Sequence, residues 1–558
     1  MKTASLLGIF SLGLCLPIFA ACGEGTEMGN TGGAPATGGV GAAATGGVGV
    51  GGTAPGGSAS GGASAGVGNA AGVGPAGGVG GAATGGALSG GTGGSGAVGG
   101  VATGGTGGST SGAAGSGASG SAGSGAGGSA GSGTGGSAGS GTGGSGGMVS
   151  CTITATHSRS SAIATVEIVT FTTTLTGLTS ARIDFGPAGA APTMSAPVDL
   201  MAPNYRTVLL GMKGGREYAF RVVATSAAGS CMSQEYTLTT GAVPSNVPRI
   251  TRTVMNATAQ DRGFIITSGG VSGSQPAYIF DADGDVVWWA SAPNSTSRAR
   301  MSYDGKDMYM MALNVQNNGG EMRKVSMDGM TAMNNLSGLS TGHHDFTVLP
   351  DNGIAVIVWQ GGCTAIVERS ASGQLTTVVA NVGTIYQTVA DCHTNAINYY
   401  ASDQTYTLSD RNVNAFVKIR RNGQLVWQFG GSNPRGQAFT GSMSWQVNHG
   451  HHLLSDGTFL FLNNGPQTGG NAAALVYNLN TTNWTVTKAS WEYRPGVSSP
   501  VLSDVQRLPN GNTLVTFSTA GQIHEVSPSG QLVVRFQSSS NSFGYAEFRK
   551  TLYGPPLR

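Results

Sequence analysis

The chain has 558 residues, a formal net charge of +2 and 98 glycines. Only 10% of its residues are charged, and it lacks the clustered Lys and Arg residues that nucleic-acid binding requires. Most of the glycines precede residue 150, so the later part of the chain must supply the folded core.

Residues 1–21 have the pattern of a secretory signal peptide. Met1-Lys2 is followed by the apolar run Leu6 to Ala20, which is too short for a membrane span. The run ends in Ala20-Ala21-Cys22-Gly23, which resembles a bacterial lipoprotein processing site. The pattern predicts an exported chain held at the cell envelope or outer membrane by a lipid on Cys22. An ordinary cleavage site beside an incidental cysteine is the alternative.

Residues 22–150 consist almost entirely of Gly, Ala, Ser and Thr. Such a segment buries too little apolar surface to offset its chain entropy, so we expect a disordered tether. A flexible coil of about 125 residues spans roughly 60 Å, which would hold a folded domain clear of a membrane.

Residues 151–245 read as short strands separated by turns, which predicts an antiparallel β-sandwich. The predicted strands include residues 166–171, 181–185 and 218–224. The segment YAFRVVATSAAG resembles a fibronectin type III domain, with Tyr218 as its corner tyrosine.

Six cysteines occur, of which Cys15 would leave with the signal and Cys22 would carry lipid. Four cysteines then remain, and an even number of cysteines in an exported chain predicts disulfides. Three pairings are possible, and the one that keeps each bridge inside one domain is favoured: Cys151–Cys231 and Cys363–Cys392.

Residues 246–558 repeat a hairpin in which an apolar strand, a glycine-containing turn and a second apolar strand follow one another. Turns of this type are strong hairpin signals, and six hairpin pairs at this spacing predict a six-bladed β-propeller. The predicted fold is therefore all-β. The copies are YIFDADGDVVWW, RKVSMDGM, IVERSASGQLTTVV, FVKIRRNGQLVWQF, IHEVSPSGQLVVRF and the degenerate ALVYNLNTTNWTVTKASWEY.

Histidines begin three of the segments that precede these hairpins. His344, His393 and His449 open HDFTVLPDNG, HTNAINYYASD and HGHHLLSDGT, and Ser503 takes the corresponding position in a later copy. Equivalent positions of successive blades face one central channel, so we expect the three rings to converge there. Such a cluster suits nucleophilic or acid–base chemistry.

Further polar residues accompany these histidines. Asn395 lies two residues after His393, and Arg411 follows the next strand; a guanidinium suits a tetrahedral oxyanion such as sulfate or phosphate. Strand alternation predicts that His451 shares a face with His449, with its role open, and that His452 lies on the opposite face.

Several motifs in this order resemble the arylsulfotransferases that do not use 3'-phosphoadenylyl sulfate. They are HHDFTVLPDNG, HTNAI, LSDRNVNAFVKIRRNGQLVWQFGG, NHGHHLLSDGTFLFLNNG, GNTLVTF and YAEFRKTLYG. The resemblance covers roughly residues 150–558 and implies an all-β domain before a six-bladed propeller. It also implies transfer of sulfate from a phenolic ester to a phenol through a sulfated histidine.

The resemblance implies a role for each candidate residue. His449 matches the nucleophile, although Asn448-His449-Gly450 stands where the family often has Gln-His-Asp. His344, His393, Asn395 and Arg411 match the sulfate-binding and acid–base group. The implied partners are a small phenolic sulfate donor and a phenol acceptor, and no metal or other cofactor is expected.

Two alternatives stay open from the sequence. Three histidines facing one cavity could hold zinc or copper, although Arg411 would be unfavourable beside a cation. The chain could also be a lipid-tethered propeller that binds ligands without catalysis.

Overall fold

The computed structural model describes residues 147–271, 273–292, 294–314, 319–386, 392–466 and 470–557. The predicted signal peptide, the lipidation site Cys22 and nearly all of the predicted tether lie outside these residues. Regular structure in the described part is almost entirely β-strand. The exceptions there are one helical turn, Gly383–Tyr386 (α1), and 3-10 turns at Pro203–Tyr205 and Ser518–Ala520. No helix among the described residues is long and apolar enough to cross a membrane.

The first eight strands form two packed sheets. One sheet has the order β1-β2-β5; the other has the order β4-β3-β6-β7, with β8 pairing with β6. Alternating side chains such as Ile183, Phe185 and Val222 are fully buried between the sheets. The strands are β1 (Ile153–Arg159), β2 (Glu167–Thr173), β3 (Leu178–Pro187), β4 (Met194–Pro197), β5 (Thr207–Leu209), β6 (Glu217–Ser226), β7 (Gly229–Met232) and β8 (Tyr236–Thr239).

Tyr218 at the start of β6 makes the contact expected of a corner tyrosine. Its hydroxyl accepts a hydrogen bond from the backbone N–H of Lys213 at 2.8 Å, five residues upstream. The fibronectin type III assignment of this sandwich itself stays a prediction.

The remaining strands form six antiparallel sheets of at least four strands each, here numbered I to VI. Sheets I and II contain β10 (Phe264–Ser268), β11 (Ala277–Asp281), β12 (Val286–Ala290), β13 (Ser295–Met301), β14 (Asp307–Asn314), β15 (Gly319–Ser326) and β16 (Ala332–Met333). Sheets III and IV contain β17 (Gly342–Val348), β18 (Ile354–Gln360), β19 (Cys363–Arg369), β20 (Leu375–Val379), β21 (Thr394–Tyr400), β22 (Thr405–Asp410), β23 (Ala415–Arg420) and β24 (Leu425–Gly430).

Sheets V and VI complete the set. They contain β25 (Asn448–Leu453), β26 (Thr458–Asn463), β27 (Ala473–Asn480), β28 (Thr485–Tyr493), β29 (Asp504–Arg507), β30 (Thr513–Phe517), β31 (Gln522–Val526) and β32 (Leu532–Ser538). All six predicted hairpins are present, as β11–β12, β15–β16, β19–β20, β23–β24, β27–β28 and β31–β32.

Two strands join sheets that are distant in sequence. β33 (Glu547–Arg549) pairs with β10 and gives sheet I its fourth strand. β9 (Ile250–Val254) pairs with β32 and extends sheet VI. The sequence repeats did not predict either of these strand pairings, because β9 and β33 lie outside the repeated hairpins.

The sandwich contacts sheet I and the C-terminal segment of the chain. The Lys213 ammonium lies 3.2, 2.8 and 2.7 Å from carboxylates of Asp281, Asp283 and Asp285 in the β11–β12 turn. The Tyr553 hydroxyl accepts from the backbone N–H of Leu210 at 2.8 Å. The sandwich and the sheets therefore share one compact unit.

Both predicted disulfides are confirmed. Cys151–Cys231 and Cys363–Cys392 have Cα–Cα distances of 6.1 and 5.2 Å. Because disulfides persist in oxidising compartments, they indicate an extracellular or periplasmic location.

Candidate active site

The candidate site lies where the first strands of sheets III, IV and V begin. Each of these strands has a register shift against its neighbour, at Gly342/Phe346, Thr394/Ala396 and Asn448/His451. An extra residue in one strand re-aims side chains that would otherwise follow simple alternation. His344 adopts a left-handed φ of 59° within its shift.

The register shifts correct one detail of the sequence interpretation. His344 and His449 lie inside the shifts of β17 and β25. In sheet IV the shift contains Asn395, and His393 precedes β21. The three histidines therefore do not occupy one repeat position.

The three predicted rings nevertheless converge. The His344 ring centroid lies 4.8 Å from that of His393 and 6.3 Å from that of His449. The Nε2 atoms of His344 and His393 are 3.4 Å apart. All three side chains are buried, so a ligand reaching them would leave bulk water.

Arg411 supplies a permanent positive charge to this cluster. It follows β22, is buried, and its backbone N–H donates to the His393 carbonyl at 3.3 Å. Burial, followed by neighbouring histidines and Arg411, holds the pKa of His344 and of His393 well below the usual value. Both rings are therefore neutral at pH 7.

His449 has two nitrogens in different surroundings. Its Nδ1 lies 2.6 Å from Oδ1 of Asn464, whereas its Nε2 is buried with no hydrogen-bond partner among the described residues. Burial and then Arg411 lower the pKa of His449 to about 3, so its ring is also neutral at pH 7.

The side chain of Asn395 does not offer a hydrogen-bond donor to a bound anion, because its NH₂ group is used elsewhere. Its Nδ2 donates to the carbonyl of Asn448 at 2.7 Å, which leaves Oδ1 as the atom without a partner among the described residues. The Tyr545 hydroxyl donates to the Asn395 carbonyl at 2.6 Å. In this orientation the side-chain atom that Asn395 leaves available is a hydrogen-bond acceptor and not a donor.

His451 and His452 lie outside the cluster. Nε2 of His451 contacts Oγ1 of Thr407 at 2.6 Å, and its ring stacks on Phe459 at 5.6 Å. Nδ1 of His452 accepts from the backbone N–H of Arg507 at 3.1 Å. The predicted common face of His449 and His451 is wrong, because the register shift in β25 adds a residue between them.

Sequence reasoning missed three neighbours of the predicted residues. The His343 ring lies 4.1 Å from that of His344, and the half-buried Trp359 lies 5.0 Å from His343. Asn464, the third, follows β26. The adjacent pair His343-His344 was a signal in the sequence that could have identified His343. No signal in the sequence marks Trp359 or Asn464, because they come from other strands than the predicted residues.

Part of this cluster could also bind a metal ion. One ring nitrogen each of His343, His344 and His393 lie within 4.8 Å of one another. Arg411 acts electrostatically on His344 and His393 and would oppose a cation there. The charge of the cluster instead favours an anion, for which a guanidinium is a strong partner.

Comparisons with known proteins agree with the motifs. Residues 364–539 match the family model of arylsulfotransferase (ASST), which supports the family predicted from the sequence. The matched segment contains His393, Arg411 and His449, while His344 precedes it. No curated relative matches the chain.

Several solved structures resemble the chain at low identity. TolB from Acinetobacter baumannii is 10% identical, with 62% of this chain and 81% of that chain covered and a TM-score of 0.38. An inactive virginiamycin B lyase from Staphylococcus aureus is 13% identical, with 53% and 98% covered and a TM-score of 0.34. A periplasmic gluconolactonase from Pseudomonas aeruginosa is 14% identical, with 66% and 98% covered and a TM-score of 0.34.

Proposed function

We propose that the chain is an aryl-sulfate sulfotransferase that moves a sulfuryl group from a phenolic sulfate ester to a phenol. The observation that carries the proposal is the buried convergence of His344, His393 and His449 beside Arg411. The last two histidines and Arg411 lie in the segment that matches the arylsulfotransferase family. A nucleotide is not needed, because the donor is itself an activated ester.

In the first half-reaction, Nε2 of His449 attacks sulfur while the bond from sulfur to the aryl oxygen breaks. Arg411 and His393 hold the sulfuryl oxygens, as in phosphoryl transfer, where positioning and charge stabilisation dominate. A phenol has a pKa near 10, so phenolate leaves readily once it receives a proton.

His344 or His393 supplies that proton. Both are neutral in the free site, but the negative sulfate ester offsets the charge of Arg411 and favours proton uptake from solvent on binding. The free Oδ1 of Asn395 would orient a hydroxyl or an imidazolium N–H.

The second half-reaction reverses these steps. The acceptor phenol gives its proton to the now neutral histidine, its oxygen attacks sulfur, and the bond from sulfur to Nε2 breaks. His449 regains its lone pair, so atoms and charges balance over the cycle.

We further infer that sheets I to VI are the blades of a six-bladed propeller spanning residues 246–558, behind a fibronectin type III-like sandwich at 151–245. The shared four-stranded antiparallel order and the late strand β33 completing sheet I support this. The lipid anchor at Cys22, the signal at 1–21 and the tether at 22–150 complete the proposal for an envelope enzyme.

The test is a pulse of chromogenic aryl sulfate without acceptor, followed by peptide mass spectrometry. We expect about 80 Da, the mass of SO₃, on the peptide carrying His449, since covalent catalysis leaves the transferred group on the nucleophile. His449→Ala should abolish the adduct and transfer, whereas His452→Ala should keep both. Transfer without an adduct on any residue would exclude the double displacement.

The second candidate is a metal site formed by His343, His344 and His393, which the spacing of their nitrogens favours. Elemental analysis of the purified protein and assay after chelation distinguish the two. Stoichiometric zinc or copper, lost together with activity on chelation, would favour the metal. Ligand binding without turnover of any aryl sulfate would favour a non-catalytic propeller.

A further inference from the structure

Asn464 is the residue through which sheet V fixes the position of the His449 ring. It follows β26, is fully buried, and its Oδ1 lies 2.6 Å from Nδ1 of His449. Its backbone N–H also donates to the carbonyl of Val447 at 3.0 Å. The side chain and backbone of Asn464 therefore both contact the segment that carries His449.

The amide of Asn464 has only one chemically consistent orientation. Its Nδ2 donates to the carbonyls of Ser499 at 2.6 Å and Leu502 at 3.1 Å. Because carbonyl oxygens only accept hydrogen bonds, the NH₂ group must face them. Oδ1 must then face His449.

The orientation of the amide determines which nitrogen of His449 carries the proton. An amide oxygen cannot donate, so a hydrogen bond at this distance requires a proton on Nδ1. In a neutral ring the lone pair then lies on Nε2. Nε2 is the buried nitrogen without a partner among the described residues.

We propose that Asn464 is a positioning residue that fixes His449 in its Nδ1–H tautomer and so presents the Nε2 lone pair to the substrate. The catalytic consequence rests on the proposed function, whereas the tautomer does not. An amide suits this role because it orients the ring without the charge of an aspartate, which would favour the protonated, non-nucleophilic imidazolium.

The test is long-range ¹H–¹⁵N NMR on the full chain labelled at histidine nitrogens, with the His449 ring assigned by its loss in His449→Gln. At pH 7 we expect Nδ1 protonated and Nε2 bare in the unsubstituted protein. A proton on Nε2 would overturn the proposal, and this measurement requires no variant of Asn464.

Asn464→Leu should release the ring into a mixture of tautomers and reduce sulfuryl transfer by up to about 10⁴-fold, the scale seen when an orienting residue is lost. The matched control is Asn463→Leu, because Oδ1 of Asn463 accepts from the backbone N–H groups of Gln446 and Gly465. An unchanged tautomer in Asn464→Leu, or an equal change in the control, would overturn the proposal. If the unsubstituted protein has the expected tautomer but transfers no sulfuryl group, only the proposed function fails.

Discussion

Arg411 places a guanidinium among imidazole rings that burial keeps neutral. A planar fork can hold two oxygens of a sulfuryl group at once, whereas an ammonium is a point charge on a flexible stem. The geometry of this one side chain, and not only its charge, should therefore matter for transfer.

We predict that Arg411→Lys lowers kcat by about 10²–10³-fold, the usual effect of losing one oxyanion donor. Arg421→Lys is the control, because Arg421 bonds Glu368 away from the histidine cluster. Steady-state assays with an aryl sulfate give kcat for both variants. Equal kcat values for Arg411→Lys and Arg421→Lys would contradict the role of Arg411.

The low pKa of His449 predicts an unusual pH dependence. A histidine with an ordinary pKa of about 6.5 is mostly protonated at pH 5, but His449, with a pKa of about 3, stays neutral there. The donor-only burst of phenol should therefore persist from pH 7 down to pH 5. Stopped-flow measurement of the burst rate against pH tests this prediction. A fall in that rate with a midpoint near pH 6.5 would show that His449 becomes protonated there and is not held neutral.

At the scale of elements, the Cys363–Cys392 bridge joins the start of β19 to the residue before His393. The backbone N–H of His393 also donates to Oδ2 of Asp410 at 2.8 Å. The bridge and this carboxylate together hold the segment that carries the histidine.

We predict that replacing both Cys363 and Cys392 by Ala lowers stability by about 3–4 kcal/mol and also lowers transfer. Replacing Cys151 and Cys231 by Ala should destabilise the sandwich but leave transfer intact in the folded protein. Denaturant unfolding and activity assays on both double variants check this. If the variant lacking Cys363 and Cys392 is folded and fully active, the bridge is not needed for sulfuryl transfer.

The elements also show why part of the site could be predicted from the sequence. Hairpins depend on local turn residues such as Asn422-Gly423, so their positions were predictable. Register shifts depend on the neighbouring strand, so the different surroundings of His449 and His451 were not. Asn464 comes from β26, and nothing in its local sequence indicates which ring it contacts.

At the scale of the whole molecule, a network of buried charges connects distant sheets. Arg298 of β13 bonds Asp345 of β17 at 2.7 Å and Asp504 of β29 at 2.8 Å. Its guanidinium also lies 4.4 Å from the ring centroid of Tyr545. Asp345 adjoins His344, so this network links the candidate site to sheets II, III and VI.

We predict that Arg298→Met destabilises the protein by about 3–5 kcal/mol, because each of two buried carboxylates would lose its bonds to this guanidinium. Arg494→Met removes an exposed pair with Glu492 and should cost about 1 kcal/mol or less. Guanidinium unfolding compares the two variants. Similar unfolding midpoints would mean that the buried network contributes little.

The pairing of β33 with β10 has a consequence for the order of assembly. Sheets II to V each arise from one continuous segment and can form as that segment emerges from the ribosome, whereas sheet I keeps an open strand edge until residues 547–549 arrive. Joining segments so far apart in sequence is slow, and an open edge is a template for pairing with another molecule. We therefore expect the intermediate that lacks only the β10–β33 pairing to be prone to aggregation, because pairing with another molecule competes with this last folding step.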